Sequence, residues 1–288
     1  MQTVDRPISL AALSVIELTP PEMVKCAAKA GYSHVSLRLL PVTPHETRCD
    51  ILGDTPMRRE LVGNLADTGL KVFDVEFIRL DADAIVTDFL PLMEAAAVLG
   101  AHNLLVAGYD SDEPHFVDRF AQLCDLAAPF ELNANLEFYP WADVRTLSQA
   151  HRLVAACGRT NAGILIDSLH FDRSRSTFAE LNAVPPQWLR YVQLCDAPAT
   201  RPATTDALIH QARAERLFPG EGGLDLLGLL RRLPRDIPIG IETPTRTLAL
   251  DVGPVERARR AREATLAVLR KLDAEDRPSN ELRIAISH

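Results

Sequence analysis

The 288-residue sequence is short of several things. Aromatic residues make up only 6%, and the five cysteines (Cys26, Cys49, Cys124, Cys157 and Cys195) are odd in number. None of them forms the CxxC spacing of a zinc ribbon or a dithiol redox motif, so a disulfide framework is not expected. Cationic excess is also missing: 31 Lys+Arg stand against 39 Asp+Glu, a net charge of −8. An acidic chain without a basic block is a poor nucleic-acid partner, because phosphate neutralisation needs clustered cations. No apolar run reaches the ~18–20 residues of a membrane span. The first residues, Met1–Arg6, lack the basic and apolar regions of a secretory signal. The expectation is a cytoplasmic protein without membrane or nucleic-acid partners. Linkers rich in Gly, Pro or Ser are missing too, which argues for one folding unit.

Short apolar runs alternate with amphipathic stretches. Eight runs stand out: Ile8–Glu17, His34–Leu39, Lys71–Ile78, Asn103–Tyr109, Asn135–Tyr139, Gly163–Asp167, Tyr191–Asp196 and Ile237–Glu242. Most are too short for helices, rich in Val, Ile and Leu, and not strictly alternating, as strands buried on both faces of a parallel sheet are. Helical patterns separate them at Pro20–Gly31, Met57–Gly69, Val86–Gly100, Glu113–Leu126, Asp143–Gly158, Phe178–Ala183, Leu224–Leu233 and Pro254–Leu272. Proline near the start and glycine at the stop recur, the asymmetry expected of helix ends. Eight strand–helix units predict an α/β fold, a single (β/α)8 TIM barrel over residues 1–275, with a polar tail over 276–288. The longest irregular piece, Ala197–Gly223, follows the seventh strand and falls on the face that carries barrel active sites.

Polar residues at the carboxyl ends of barrel strands face that site. Reading only those positions gives Ser36 and Arg38, Asp74, Glu76 and Arg79, Asp110, Glu137 and Tyr139, Asp167 and His170, Gln193, Cys195 and Asp196, and Glu242. Carboxylates converging at one mouth repel unless protons or a cation sit among them. Oxygen donors suit Mg2+ or Mn2+, and an imidazole tilts the choice towards Mn2+, Co2+ or Zn2+. Arg38, Arg79, Arg173, Arg175 and Arg216 lie near the same strand ends, and arginine is the preferred bidentate partner of carboxylate or phosphate. They point to a small polar or anionic substrate. Two glutamates on opposite sides of a polarised hydroxy-ketone, Glu137 and Glu242, would serve as the proton-removing and proton-returning groups of an enediolate reaction.

The segments Leu136–Pro140, Gly163–Phe171, Tyr191–Asp196, Pro219–Asp225 and Ile239–Glu242, in that order, resemble the xylose isomerase-like barrel superfamily. That superfamily includes D-tagatose 3-epimerase-type enzymes, hydroxypyruvate isomerase, inosose dehydratase, 3-dehydroshikimate dehydratase and endonuclease IV. The resemblance implies a divalent-metal site held by Glu137, Asp167, Gln193 and Glu242, with Gln193 standing where relatives carry histidine. It implies substrate contacts from His170, and it adds Asp196 and Glu221 to the arginines as substrate-binding candidates. The implied activity is a metal-dependent sugar isomerase or epimerase acting on a ketose or small hydroxy-keto acid. A dehydratase or lyase on a cyclic polyol or dehydroshikimate-like acid is the second reading, and a non-catalytic small-molecule-binding barrel the third. A homo-oligomer is compatible with any of these. Endonuclease IV needs a histidine-rich zinc site, which the ends of strands two, three and seven do not supply.

Overall fold

The computed structural model describes residues 6–42, 46 and 48–276. Eight strands, β1 (Ile8–Ala11), β2 (His34–Arg38), β3 (Lys71–Asp81), β4 (Asn103–Tyr109), β5 (Asn133–Glu137), β6 (Ala162–Asp167), β7 (Val192–Leu194) and β8 (Ile239–Ile241), pair in parallel, each with the next. β1 closes on β8 with Leu10 opposite Ile241, so the sheet is a closed barrel and the expected (β/α)8 fold is what forms. The first expected strand is shortened. After Ala11 the chain turns into a 3-10 helix over Ala12–Val15, and Ser14 donates to the Ile241 carbonyl at 3.0 Å.

The helices form an outer ring: α1 (Pro20–Lys29), α2 (Pro56–Thr68), α3 (Leu90–Val98), α4 (Glu113–Ala127), α5 (Leu147–Cys157), α6 (Ser168–Arg173), α7 (Phe178–Asn182), α8 (Thr205–Ala214), α9 (Leu226–Leu230) and α10 (Pro254–Glu275). Their ends follow from local chemistry. Thr55 caps α2 by accepting from the Arg58 amide at 3.1 Å, and Gly69 stops it at φ 70°, where a side chain would be strained. Several helices depart from expectation, among them α6, which no expected helical stretch covers. Ala197–Gly223 is not irregular throughout, because it contains the ten-residue α8. α10 runs three residues past Leu272, to Glu275. Of the expected tail only Asp276 lies within the described residues.

Apolar side chains pack in two places. The larger body lies between sheet and helices, and a smaller one, with Phe77, Leu105, Leu165 and Tyr191, fills the barrel interior. Side chains alternate along a strand with period two. Inward positions therefore pair as Ser36 and Arg38, Asp74 and Glu76, Asn135 and Glu137, Leu165 and Asp167, Tyr191 and Gln193, and Gly240 and Glu242. Gly240 has a packing reason: a Cβ there would lie 3.2 Å from Cγ of Gln193.

The inner layer below the mouth is unusually polar for a barrel. Ser9 and Ser36 share a hydrogen bond at 2.8 Å, and the Tyr191 hydroxyl donates to Asp74 at 3.1 Å. Burial raises the Asp74 carboxyl to about 7. Folded protein thus keeps a proton that the unfolded chain releases near pH 4, and stability present at low pH is lost as pH rises towards 7. Asp74→Asn keeps the acceptor for Tyr191 and removes the titration. Its expected effect is a gain on the order of 2–4 kcal/mol at pH 8 and a flatter dependence of Tm on pH between 4 and 7. Parallel wild-type and variant curves would show that Asp74 ionises freely.

Candidate metal-dependent active site

A cavity of about 680 Å³ opens at the carboxyl ends of the strands, and Arg38, Glu137, Tyr139, His170, Arg216 and Glu242 are among the residues lining it. This size suits a small metabolite. Glu137 ends β5 and is 2% exposed. Its Oε2 accepts a short hydrogen bond from the Tyr139 hydroxyl, while its Oε1 is buried without a hydrogen-bond partner among the described residues. Burial, reinforced by the negative charges of Asp167 and Glu242, holds the Glu137 carboxyl well above the ordinary carboxylate range.

Asp167 ends β6 and caps α6, accepting from the His170 amide at 2.9 Å through Oδ1. This Asp-x-x-His geometry turns the chain so that the His170 ring returns over the cavity, 4.0 Å from Glu137 Oε1 through Nε2. The ring is wedged edge-on against Tyr139 and Trp141, with centroids 4.6 and 5.2 Å away. Burial lowers its pKa to about 3, so the imidazole is neutral and both nitrogens are available as one donor and one acceptor. Glu137, Asp167 and His170 each offer a ligand atom within 4.8 Å of the others.

Gln193 sits on β7 in register with Asp167 on β6, and neighbours in register present side chains to the same face. It is wholly buried, yet neither its amide oxygen nor its amide nitrogen has a hydrogen-bond partner among the described residues. An orphaned amide at this depth is costly. The unpartnered Oε1 atoms of Glu137 and Gln193, beside Asp167 and His170, form a donor set that a divalent cation fits. Oxygen donors with one imidazole suit Mn2+ or Mg2+ and also admit Co2+ and Zn2+.

Arg216 supplies a fixed positive charge. Its guanidinium donates to Asp167 Oδ2 at 2.6 Å and lies 2.8 Å from Glu242 Oε2, and its Nε donates to the Ala212 carbonyl at 2.7 Å. Burial alone would raise Asp167, but Arg216 and His170 together hold it below its ordinary value. Burial raises Glu242 despite Arg216. Beside Arg216, Cys195 is buried under the guanidinium, with its sulfur 3.4 Å from Nη1.

The other sequence candidates fall in different places. Arg38 lines the cavity, but its guanidinium is engaged by Glu76 at 3.0 Å and faces Glu46 at 3.6 Å. Arg79 lies outside the cavity lining, paired with Asp81 at 2.7 Å and stacked 3.7 Å above the Tyr109 ring. Arg173 is buried away from the cavity, tying α6 to Gln211 at 2.9 Å and to the Pro198 carbonyl at 2.6 Å. Asp196 does not reach the cavity either. It accepts from the amides of Ala197, Gly220 and Leu224 at 2.8, 3.0 and 3.0 Å and so knots the Pro219–Asp225 loop to β7. The same loop needs glycine at 222, where a Cβ would lie 2.3 Å from Asp196 Oδ1. Glu221 is exposed on that loop, outside the lining. Asp110 pairs with His115 at 2.6 Å. Arg213 on α8, by contrast, lines the cavity and was not singled out from the sequence. The Thr204 cap, Asp206 in the first turn and the Leu208/Ala212 spacing were the signals for its helix.

Comparison with known proteins agrees with this geometry. A model of the xylose isomerase-like TIM barrel matches residues 24–272. The chain belongs to that family. It is similar to an inosose isomerase of Bacillus velezensis, 26% identical over 211 residues, which covers 69% of this chain and 72% of the relative. A 3-dehydroshikimate dehydratase of Pseudomonas aeruginosa is 35% identical over 117 residues, 39% of this chain but 17% of that protein. Both named relatives are enzymes. Among solved structures, the IolI protein with a bound zinc atom superposes with a TM-score of 0.75 at 20% identity, covering 92% of this chain and 99% of that one. No helix among the described residues is long and apolar enough to cross a membrane.

Proposed function

We propose that this protein is a divalent-metal-dependent enzyme that enolises a polyhydroxylated ketone, moving a proton between carbons or between faces of one carbon as an isomerase or epimerase. The observation that carries the reading is the meeting on one cavity of His170 with two buried glutamates raised above the ordinary carboxylate range, Glu137 and Glu242, beside the Asp167 carboxylate and the orphaned amide of Gln193 on the neighbouring strand. Glu137, Asp167, His170 and Gln193 would hold the metal, with Glu242 at its edge. When bound, the metal supplies Lewis-acid polarisation of the ketone and adjacent hydroxyl.

The chain's own groups do the rest. Glu137 at the end of β5 and Glu242 after β8 approach the cavity from non-adjacent strands, so one takes a carbon-bound proton and the other returns it on the opposite face. Carboxyls held above the ordinary range by burial are better matched to both tasks than ordinary ones. Trp141 and Tyr139 fix the ring of neutral His170, so that its nitrogen facing Glu137 keeps its place among the metal-holding groups. Arg216 keeps Asp167 ionised and holds Glu242 in place. Phe77, Leu105 and Trp141 wall the cavity and limit water.

The second reading is a dehydratase that expels a β-hydroxyl from the same enolate, favoured by the 35% identity to the Pseudomonas aeruginosa enzyme. Incubating the metal-loaded protein with inososes, ketoses and 3-dehydroshikimate in deuterated water separates them. Deuterium incorporation without loss of water supports the isomerase, loss of water supports the dehydratase, and neither on any ketone leaves a binding barrel.

Gln193 offers a direct test of the coordination sphere. Gln193→His is expected to raise the affinity of metal-free protein for Zn2+ and Co2+ more than for Mg2+, since imidazole is the softer donor. Unchanged titration curves for every ion would remove residue 193 from the ligand set.

A further inference from the structure

The arginines near the strand ends are mostly consumed by acids of the protein itself: Arg38 by Glu76, Arg173 by Asp172, and Arg216 by Asp167 and Glu242. Arg213 is different. It is half-buried, lines the cavity from α8, and among the described residues its guanidinium has no carboxylate within ion-pair distance. Its position is fixed. Ala212 and Ala214 on either side are buried, and the Glu215 backbone pairs with Thr245 in an antiparallel bridge. His170 and Tyr109 line the same cavity. Arg246, whose amide donates to the Ala214 carbonyl at 2.7 Å, stands exposed at the rim of the same wall.

We infer that Arg213 is a substrate-binding residue that receives a carboxylate, and that the substrate is a hydroxy-keto acid rather than a neutral sugar. The inference deepens the enolisation reading and rests on it for the position of the ketone. Glu137, His170 and Arg213 line one cavity, so a ligand held by its hydroxy-ketone at the first two shares that cavity with the unpaired guanidinium. A partly desolvated cation without a counter-charge is unfavourable on its own and becomes favourable when an anion arrives. The planar guanidinium matches a carboxylate through two parallel N–H donors.

Equilibrium calorimetry on the Mn2+-loaded protein tests this without turnover. The probes are quinate, a cyclic polyol bearing a carboxylate, and myo-inositol, a similar ring without one. Wild type is expected to bind quinate at least about 10-fold more tightly. Arg213→Ala should weaken quinate by about 10- to 100-fold, the range for a hydrogen-bonded charge, while myo-inositol is unaffected. Arg213→Lys, which keeps the charge but loses the fork, should fall between. Equal wild-type affinities, a parallel loss for both probes in Arg213→Ala, or no saturable quinate binding each overturn the assignment. Deuterium exchange reports separately on the chemistry. Exchange on a neutral cyclic ketone, with quinate bound no more tightly than myo-inositol, overturns the carboxylate assignment and leaves enolisation standing. Quinate selectivity that depends on Arg213, with no exchange on any ketone, overturns enolisation and leaves the carboxylate site standing.

Discussion

Glu242→Gln is expected to lower turnover of the enolisable substrate by about 10²–10⁴-fold, the usual worth of a positioned acid–base group. The amide keeps the size and an oxygen acceptor for Arg216, so the barrel and its metal donors survive while the proton carrier is lost. Glu137→Gln should cost a similar factor, because proton removal and return each need a base on its own face. The two single variants differ in a second readout. With one base intact, exchange of a substrate carbon-bound hydrogen with deuterated solvent continues at that face although isomerisation stops. Full activity in either variant with metal bound would make that glutamate structural and favour a one-base or lyase route. Loss of metal in both variants would move the decision to the exchange experiment on residual metal-bound protein.

Arg216→Met should destabilise the fold by about 3–5 kcal/mol, the cost typical of removing one partner from a buried ion pair. Asp167 and Glu242 would then face each other across a dry site without their shared cation, since Arg216 is 3% exposed and Asp167 wholly buried. For a chain of this size the loss corresponds to about 6–20 °C in Tm. The pH dependence follows from the direction of the Asp167 shift. Its folded pKa is depressed, so its contribution is present above the unfolded value near 4 and disappears as pH falls through the folded one. Arg216→Met should remove that acid-side slope. Excess Mn2+ should recover part of the lost Tm by supplying positive charge to the same carboxylates. A variant that melts with wild type, with or without Mn2+, would show that Arg216 does not neutralise the site.

The sequence by itself determined the barrel and the identity of the inward carboxylates. Both depend on short-range periodicity. A strand repeats every two residues, so a run such as Ala162–Asp167 that ends in an acid already decides which way that acid faces once the strand lies in a closed sheet. Pro and Gly at helix ends are equally local, which is why α2 and α5 start and stop within a few residues of expectation. Ala12–Val15 was less legible, because an apolar run continuing a strand reads the same whether it stays extended or tightens into a 3-10 turn.

What the tertiary structure decided is which charges meet. Arg79, Arg173, Arg213 and Arg216 look alike in sequence, each close to a strand end or loop. Their fates depend on loop paths that bring residues far apart in sequence within about 3 Å, as Arg216 and Asp167 are, 49 positions apart. Asp196 shows the same limit: its place after β7 suggested substrate, but three amides of a folded-back loop take its oxygens first. Charge pairing falls off over a few ångströms and is set by the nearest partner in space. Periodicity can aim a side chain into the barrel mouth; only the closed fold reveals whether an acid of the chain has already claimed it or, as at Arg213, whether none has.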